Sequence, residues 1–191
     1  ILLSIIRLFV SMIKNKKDLV YYMKQDKIAL KAKGGIKDYF FNDILKFQTI
    51  LRKTEYYYNT KKNLRFLIFK IRLKKISNLL GFSIPINTCG PGLSIAHVGT
   101  IVINGKARIG KNCRIHVCVN IGAAAENSSS VPTIGDDCYI GPGAKLFGDI
   151  NLGDNIAIGA NSVVNKSFDG NCVIGGAPAK VISRKILDRN R

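Results

Sequence analysis

Acidic residues and histidines are scarce in this sequence, and both shortages restrict what the protein can do. Only 12 Asp and Glu residues stand against 30 Lys and Arg residues, which leaves a net charge of +18. The chain has two histidines, too few for a zinc ion bound at three histidine positions. The five cysteines include no CxxC pair, and this pattern predicts a reduced, cytoplasmic protein without a metal site.

Long apolar runs are also missing. The apolar stretch from Ile1 to Ile13 is interrupted by Arg7, and it is shorter than the roughly 20 residues that span a bilayer. It has no small-residue cleavage site, so it does not predict a signal peptide. Because residue 1 is Ile and not Met, we expect the N-terminus to have been trimmed or to lie upstream.

A six-residue repeat dominates the second half of the chain. An aliphatic residue returns at every sixth position, a glycine often follows it, and the residue two places before it is mostly small. This period matches neither a helix nor one long strand, and it predicts a parallel β-helix of triangular section in which both residues point inward. The aliphatic residues on the step are Ile103, Ile109, Ile115, Ile121, Ile134, Ile140, Leu146, Leu152, Ile158 and Val164.

Residues 1–80 have a different composition and predict a small basic α-helical N-terminal domain. Apolar residues recur at helical spacing over Asp38 to Tyr58 and over Asn63 to Leu80. Gly81 is placed to end the last helix. We therefore expect a mainly β protein, in which the helical domain precedes the β-helix.

The β-helix is expected over residues 81–182, and a basic tail over residues 183–191. Between Ile121 and Ile134 the step is 13 positions and not 12, because Ala123 to Ser130 match no hexad. We interpret residues 123–133 as a loop that leaves one corner of the prism. Such a loop can be neutral, but loops on a rigid scaffold often line a site.

The positive charge is concentrated at the front of the chain. Residues 1–80 contain 19 Lys and Arg and 5 Asp and Glu, whereas residues 81–191 contain 11 and 7. This excess is typical of a solvated helical face, or of attraction to an anionic membrane or glycan precursor. Nucleic acid is not expected as a partner, because no recognition motif accompanies the charge.

Two histidines are the candidate catalytic residues. Stepping back six positions from Ile103 reaches His97, a polar residue where an aliphatic one is expected. His97 either belongs to an imperfect first coil or acts as a general base, since a neutral imidazole can take a proton from a hydroxyl. His116 follows 19 positions later, so the two rings are expected on neighbouring coils.

The sequence resembles the hexapeptide-repeat acyltransferases, and most of all their serine acetyltransferase branch. The resemblance covers about residues 82–182 and is strongest in SIAHVGTIVINGKARIGKNCRIHVCVNIG, PTIGDDCYIGPGAKLFGDINLGDNIAIGANSVVNKSF and GGAPAKVI. It implies a left-handed β-helix, a homotrimer, and acetyl-coenzyme A bound in a groove between subunits. It also implies that His97 is the base. His97 matches the histidine of the family's H-x-x-G setting, although the glycine comes one place earlier here. His116 is a weaker candidate for a direct role.

The same resemblance implies a set of coenzyme A contacts. Gly122 and Ala123 match positions beside the pantetheine arm, and Gly141 and Ala160 match backbone contacts along the groove. Pro178 and Lys180 belong to the C-terminal motif near the nucleotide end. Each glycine is explained equally well by a turn of the β-helix that needs no ligand. Lys180 can likewise be a solvated residue without a ligand contact.

The departures from the family pattern concern the acceptor. Serine acetyltransferases have an acidic residue before the histidine and an Arg-His pair after the loop, where this chain has Ala96 and Ser130-Val131. The lead-in residues Pro85, Asn87 and Pro91 supply no carboxylate to orient His97. We therefore expect an acetyl-CoA-dependent O-acetyltransferase that acts by direct transfer on a sugar or glycan precursor, such as a lipid-linked saccharide.

Several alternatives follow from the same residues. They are a serine O-acetyltransferase of cysteine biosynthesis, an acyltransferase that uses an acidic acyl carrier protein, and a non-catalytic β-helix scaffold at a membrane surface. A γ-type carbonic anhydrase shares the β-helix but needs three histidine positions. We expect a cytoplasmic location, with peripheral contact of the basic helices at the inner membrane face.

Overall fold

A computed structural model describes residues 12–33 and 35–184, which form a helical region followed by a β-helix. The helices are α1 (Lys16–Ala29), α2 (Ile36–Phe41), α3 (Asp43–Asn59) and α4 (Asn63–Leu80). The strands are β1 (Phe82–Ser83), β2 (Ser94–Ile95), β3 (Ile101–Ile103), β4 (Arg108–Ile109), β5 (Arg114–Ile115), β6 (Asn120–Gly122), β7 (Thr133–Ile134), β8 (Tyr139–Ile140), β9 (Lys145–Phe147), β10 (Asn151–Leu152), β11 (Ile156–Ile158), β12 (Val163–Val164), β13 (Cys172–Gly176) and β14 (Ala179–Ser183).

The strands form three sheets, one on each face of a triangular prism. Their orders are β1-β3-β6-β9-β12, β4-β7-β10 and β2-β5-β8-β11-β13-β14. In the described part of the chain all strand pairs are parallel except β13 with β14, which form an antiparallel hairpin at the end of the third sheet. In the middle of the prism, each strand pairs with the strand three places later. One coil therefore uses three strands, as the six-residue repeat predicts.

The inward positions of the repeat form the core. Ile109, Ile115, Ile121 and Ile140 are completely buried, and the small residues Cys113 and Cys138 lie beside them. Equivalent residues stack in register, for example Ile115 on Ile140. The predicted triangular parallel β-helix is therefore confirmed, and the buried cysteines fill small inward positions.

Asn and Asp residues shape several corners of the prism. Asn112, Asp137, Asn155 and Asn171 all have positive φ angles near 55–59°, a conformation that these side chains tolerate better than most. Asn112 Nδ2 donates to Asp137 Oδ1 on the next coil at 3.1 Å. Asn155 and Asn171 form a corresponding amide pair.

The loop after β6 is an insertion at a single corner. Ile109 of β4 pairs with Ile134 of β7, so the 13 positions from Ile121 to Ile134 are one hexad with seven further residues. The sequence interpretation of residues 123–133 as a loop at one corner agrees with this register, which adds that the loop replaces no hexad. The insertion closes on itself, since Ala124 N donates to Ser130 O at 3.0 Å.

The helices agree with the sequence prediction except at one break. Helix α4 has the predicted bounds and ends at Gly81, whose φ of 77° is left-handed. The helix expected over Asp38 to Tyr58 is divided at Asn42, because the Asn42 side chain caps α3 by accepting from Leu45 N at 3.0 Å. In the described residues no helix is both long enough and apolar enough to cross a membrane.

The helices pack directly on the first coils. Phe47, Leu51 and Leu80 belong to the same buried cluster as Phe82 and Ile84. The change from helix to strand occurs at the predicted residue, but the core is continuous across it. The helical region as a domain of its own stays a prediction, and residues 185–191 of the predicted tail lie outside the described residues.

A buried arginine joins the helices to the β-helix. Arg52 of α3 is completely buried and forms ion pairs with Asp26 of α1 at 2.8 Å and with Glu55 at 3.1 Å. Its Nη1 donates to Cys89 O at 2.8 Å, and its Nη2 donates to Gly90 O at 2.7 Å.

The two carboxylates extend this network to the backbone. Asp26 Oδ1 accepts from Gly92 N and Leu93 N, and Glu55 Oε1 accepts from Asn87 N. Burial raises the pKa of Glu55, while Arg52 opposes that shift. One cation therefore satisfies two buried acids and two backbone carbonyls.

We expect the Arg52→Met variant to be strongly destabilised. Asp26 and Glu55 would remain buried without their cation, and breaking a buried pair in this way costs about 3–5 kcal/mol. Urea unfolding followed by circular dichroism measures the loss. The exposed Arg65→Met is the control and should leave the midpoint unchanged. Equal midpoints for the two variants would contradict the role assigned to Arg52.

Candidate active site

His97 lies in an exposed turn between β2 and β3. Five residues separate the inward Ile95 and Ile101, whereas three residues separate the equivalent Ile115 and Val119 on the next coil. The first coil is therefore imperfect at this turn, and the inward position of the repeat is taken by Ile95 and not by His97. The longer turn carries the histidine out of the prism wall and into solvent.

The end of α4 holds this turn in place. Gly99 N donates to Leu80 O at 3.2 Å, and Ile101 N donates to Gly81 O at 3.1 Å. Gly99 has a φ of 142°, and a Cβ atom there would lie 2.5 Å from Val117 Cγ2 on the next coil. Only glycine allows the turn to pack this closely, so Gly99 fixes the position of His97.

Three aromatic rings form a row over successive coils. The ring centroids of His97 and His116 are 6.0 Å apart, and those of His116 and Tyr139 are 4.8 Å apart. The structure thus brings together the two histidines proposed from the sequence. It adds Tyr139, which the sequence analysis missed.

The environment of His116 favours its neutral form. Its Nε2 atom is buried and has no hydrogen-bond partner within the described ranges. Burial lowers the pKa of His116, and the charges of Arg114 and of His97 lower it further. Arg114 Nη1 is held by donating to Ser94 Oγ at 2.9 Å. Among residues 12–33 and 35–184, no carboxylate forms an ion pair with either histidine.

Two of the expected coenzyme A contacts lie near the histidine corner. Gly141 and Ala160 follow the strands β8 and β11, which continue the sheet of β2 and β5. Gly141 is buried, and a Cβ atom there would lie 2.5 Å from Ile158 O. Close packing of the coils therefore explains this glycine by itself, whereas Ala160 is exposed.

Gly122 and Ala123 lie at a different corner. Gly122 is the last residue of β6 and Ala123 follows it, so one face of the prism separates them from the turn that contains His116. Among the described residues, and apart from its own chain neighbours, a Cβ atom at Gly122 would have one atom within 4 Å, Asn120 Oδ1 at 3.3 Å. The space beside this backbone is open, as a ligand arm would need. Within one chain these residues do not meet His97.

Pro178 and Lys180 lie at the far end of the prism. Both are exposed in the β13–β14 hairpin, at the opposite edge of the sheet from β2. Five strand spacings of about 4.8 Å put them roughly 24 Å from the histidine turn. At that distance Pro178 and Lys180 can contact the far end of an extended ligand, but they cannot contact the reacting atoms.

Arg114 and Tyr139 were not predicted as site residues because the inserted loop hides their register in the sequence. They are partners on neighbouring coils, but the seven extra residues put them 25 positions apart and not 18. Both directly precede an inward isoleucine, which is the signal that could have found them. Within the described parts of the chain, no group of three or more His, Cys, Asp or Glu side chains could hold a metal ion.

Comparison with solved structures identifies the fold. A serine acetyltransferase from Brucella abortus superimposes with a TM-score of 0.69 and 23% identity, over 89% of this chain and 71% of that one. The soybean serine acetyltransferase apoenzyme gives a TM-score of 0.69 and 23% identity, over 87% and 70%. This chain has the serine acetyltransferase fold. The predicted left-handed parallel β-helix, mainly β and preceded by helices, is therefore confirmed.

Curated sequences that are similar to this chain are also serine acetyltransferases. The serine acetyltransferase of Buchnera aphidicola (subspecies Acyrthosiphon pisum) is 30% identical over 181 residues, 89% of this chain and 64% of that protein. The enzyme of Synechococcus elongatus is 36% identical over 96 residues, 50% of this chain and 39% of that protein. The chain thus spans less than two thirds of these relatives, and no family model matches it.

These similarities correct the leading functional prediction. The similar proteins named above are serine acetyltransferases, so the expected sugar or glycan-precursor acceptor is contradicted. The error came from treating the missing charges at Ala96 and Ser130-Val131 as evidence for a neutral acceptor. The serine O-acetyltransferase alternative agrees better with the findings.

We expect His116 to titrate below the ordinary histidine pKa of about 6.5, because burial and Arg114 disfavour its protonation. The unfolded chain then binds the proton more readily than the folded chain does. The stability that neutral His116 contributes is therefore fully present above pH ~6.5, the ordinary histidine pKa. It is lost as the pH falls through the folded pKa. NMR titration of the two histidine rings, assigned with His97→Asn, measures this.

The Arg114→Gln variant tests the electrostatic cause. Removing the cation should raise the pKa of His116, whereas Arg108→Gln on another face should leave it unchanged. A His116 pKa at or above the ordinary value would contradict the effect of burial, and one insensitive to Arg114 would contradict the electrostatic cause.

Proposed function

We propose that this protein is a serine O-acetyltransferase that transfers an acetyl group from acetyl-coenzyme A to the serine hydroxyl. The observation that supports this most directly is the exposed His97 turn, packed beside a histidine whose pKa is lowered. The acyltransferase class and acetyl-coenzyme A as donor are supported by the relatives. One of the similar solved structures is a serine acetyltransferase in complex with coenzyme A.

The reaction needs one base that can also return its proton. His97 removes the proton of the serine hydroxyl as the oxygen attacks the thioester carbonyl, and backbone amides of the groove stabilise the oxyanion. The C–S bond then breaks, and the departing thiolate takes the proton back from the imidazolium. Since its pKa is lowered, His116 stays neutral at neutral pH and adds no positive charge beside the base.

The residues present are suited to coenzyme A. The open space beside Gly122 leaves room for the pantetheine arm. Exposed Lys180 supplies a cation for phosphate at the far end of the prism. Ala160 lines the exposed corner with a short side chain, and contact at Gly141 would be limited to its backbone.

We propose a homotrimer because one chain does not hold both halves of this groove. His97, His116 and Ala160 lie along one corner, while Gly122 and Ala123 lie along the next. A three-fold assembly of triangular prisms sets the first corner of one subunit against the second corner of its neighbour. A cytoplasmic location is proposed with it.

Arg114 is the proposed partner of the serine carboxylate. Ala96 and Ser130-Val131 leave the acceptor without the charged residues that the family has at these places. Arg114 is a half-buried cation whose charge acts on His116, so it lies beside the reacting histidines. A guanidinium suits a carboxylate because it can donate two parallel hydrogen bonds.

We expect the purified protein to release the coenzyme A thiol when acetyl-coenzyme A and serine are both present. His97→Ala should lower kcat by about 10²–10⁴-fold, the usual contribution of a positioned base. 3-Hydroxypropionate, which keeps the carboxylate, should be a better acceptor than ethanolamine, which lacks it. A colorimetric thiol assay measures the rates.

Glycine is the control acceptor because it has both charges of serine and no hydroxyl. Full activity of His97→Ala would contradict the catalytic role of this residue. No turnover with serine by the wild-type protein would sink the proposed function, and it would favour a scaffold or an acceptor of another kind.

We expect the active site to be shared between subunits, and subunit mixing tests this. His97→Ala and Gly122→Trp should each be inactive, the second because indole fills the open space. Mixed trimers should regain about a quarter of the wild-type activity, because one site in four pairs an intact histidine with an intact glycine.

Ala123→Trp serves as a second blocking variant in case Gly122→Trp does not fold. Activity that stays at zero in mixed trimers of two folded variants would mean that each site lies within one chain. Sedimentation velocity, which gives the size of the assembly, shows whether trimers formed at all.

A further inference from the structure

Helix α4 has two apolar stripes, and within residues 12–33 and 35–184 one of them is packed against the core. Its inner stripe, Phe69, Leu73, Ile76 and Leu80, packs on the core shared with α3 and β1. The second stripe contains Leu64, Leu67, Ile68, Ile71 and Leu79, which are 74%, 54%, 49%, 51% and 76% exposed. At about 100° per residue the two stripes lie roughly 150° apart, so the second faces away from the protein.

Cations border this outer stripe on both sides. At about 100° per residue, Arg65 and Arg72 lie along one edge, Lys70 and Lys74 along the other, and Lys75 within the stripe. All five are exposed, and α4 has no acidic residue. Arg72 and Lys70 also lie over the rings of Phe69 and Phe66, at 5.3 and 5.7 Å. These contacts hold the charges at the borders.

We propose that the outer stripe of α4 binds the surface of an anionic phospholipid bilayer. A helix that rests in a membrane interface needs exposed aliphatic side chains between rows of Lys and Arg, and α4 has both along about 27 Å of length. Its charges exclude it as a membrane-spanning helix, in agreement with the absence of such a helix among the described residues.

The charge also argues against two other occupants. Pairing this stripe with the same stripe of a second copy would bring five cations against five, with no acid on either helix. An acidic protein would satisfy the cations, but the five exposed aliphatic side chains need an apolar surface as long as the helix. A bilayer interface supplies both, because anionic headgroups lie directly above acyl chains.

The test is co-sedimentation of the full chain with vesicles. Wild-type protein should bind vesicles of phosphatidylglycerol and phosphatidylcholine but not vesicles of phosphatidylcholine alone, and the binding should weaken with salt. Ile68→Ser with Ile71→Ser should reduce binding by about tenfold or more, because the aliphatic contacts are lost. Leu64→Ser with Leu67→Ser is a second pair in case the first does not fold.

Val20→Ser, at an exposed apolar residue of α1, is the matched control and should bind as the wild type does. Circular dichroism and serine acetylation check that each variant is folded, so this test can fail without affecting the proposed function. Failure to bind anionic vesicles would overturn the proposal. So would binding that both serine pairs leave unchanged, which would indicate charge alone. A smaller assembly on sedimentation of a serine pair would show instead that a second copy covers the stripe.

Discussion

The stacking of identical inward positions is the constraint on which the structure depends. Because Ile95, Ile115, Ile140 and Ile158 lie in register on successive coils, the prism wall cannot shift locally without exposing aliphatic surface. The remaining freedom is in the lengths of the turns at the corners. Both features that distinguish the site, the longer His97 turn and the inserted loop after β6, use that freedom. The regular core therefore tolerates turns of different lengths at the corners, where the candidate site lies.

The helical region contributes to the site without touching the reacting atoms. Leu80, the last residue of α4, and its cap Gly81 accept hydrogen bonds from Gly99 and Ile101, while Arg52 fixes α1 and α3 against the first coil. The position of the base thus depends on packing at two places outside the repeat. Such support is needed because an exposed turn has few apolar contacts to hold it.

Much of the fold could be predicted because its signals are local and periodic. The hexads gave the inward residues, and Gly81 gave the end of α4. The period could not show that Ile95 and not His97 takes the inward position, or how many residues the loop adds to its coil, because it says nothing about the length of an irregular turn. The division of the second helix at Asn42 depends on a single cap. The Arg52 network joins residues 26, 52 and 90, and no spacing rule relates positions that distant. The acceptor was mispredicted because absent charges do not identify what replaces them.

Backbone hydrogen-bonding groups at the two ends of the β-helix are covered in different ways. A parallel coil leaves a row of backbone groups at each open end, and an open edge of this kind can recruit another chain. At the first coil, the carbonyls of Cys89 and Gly90 are occupied by Arg52. At the last, β14 runs against the direction of every other strand and ends the six-stranded sheet with a hairpin. The arginine that joins helices to strands therefore also occupies two backbone carbonyls that would otherwise be open to another chain at this end.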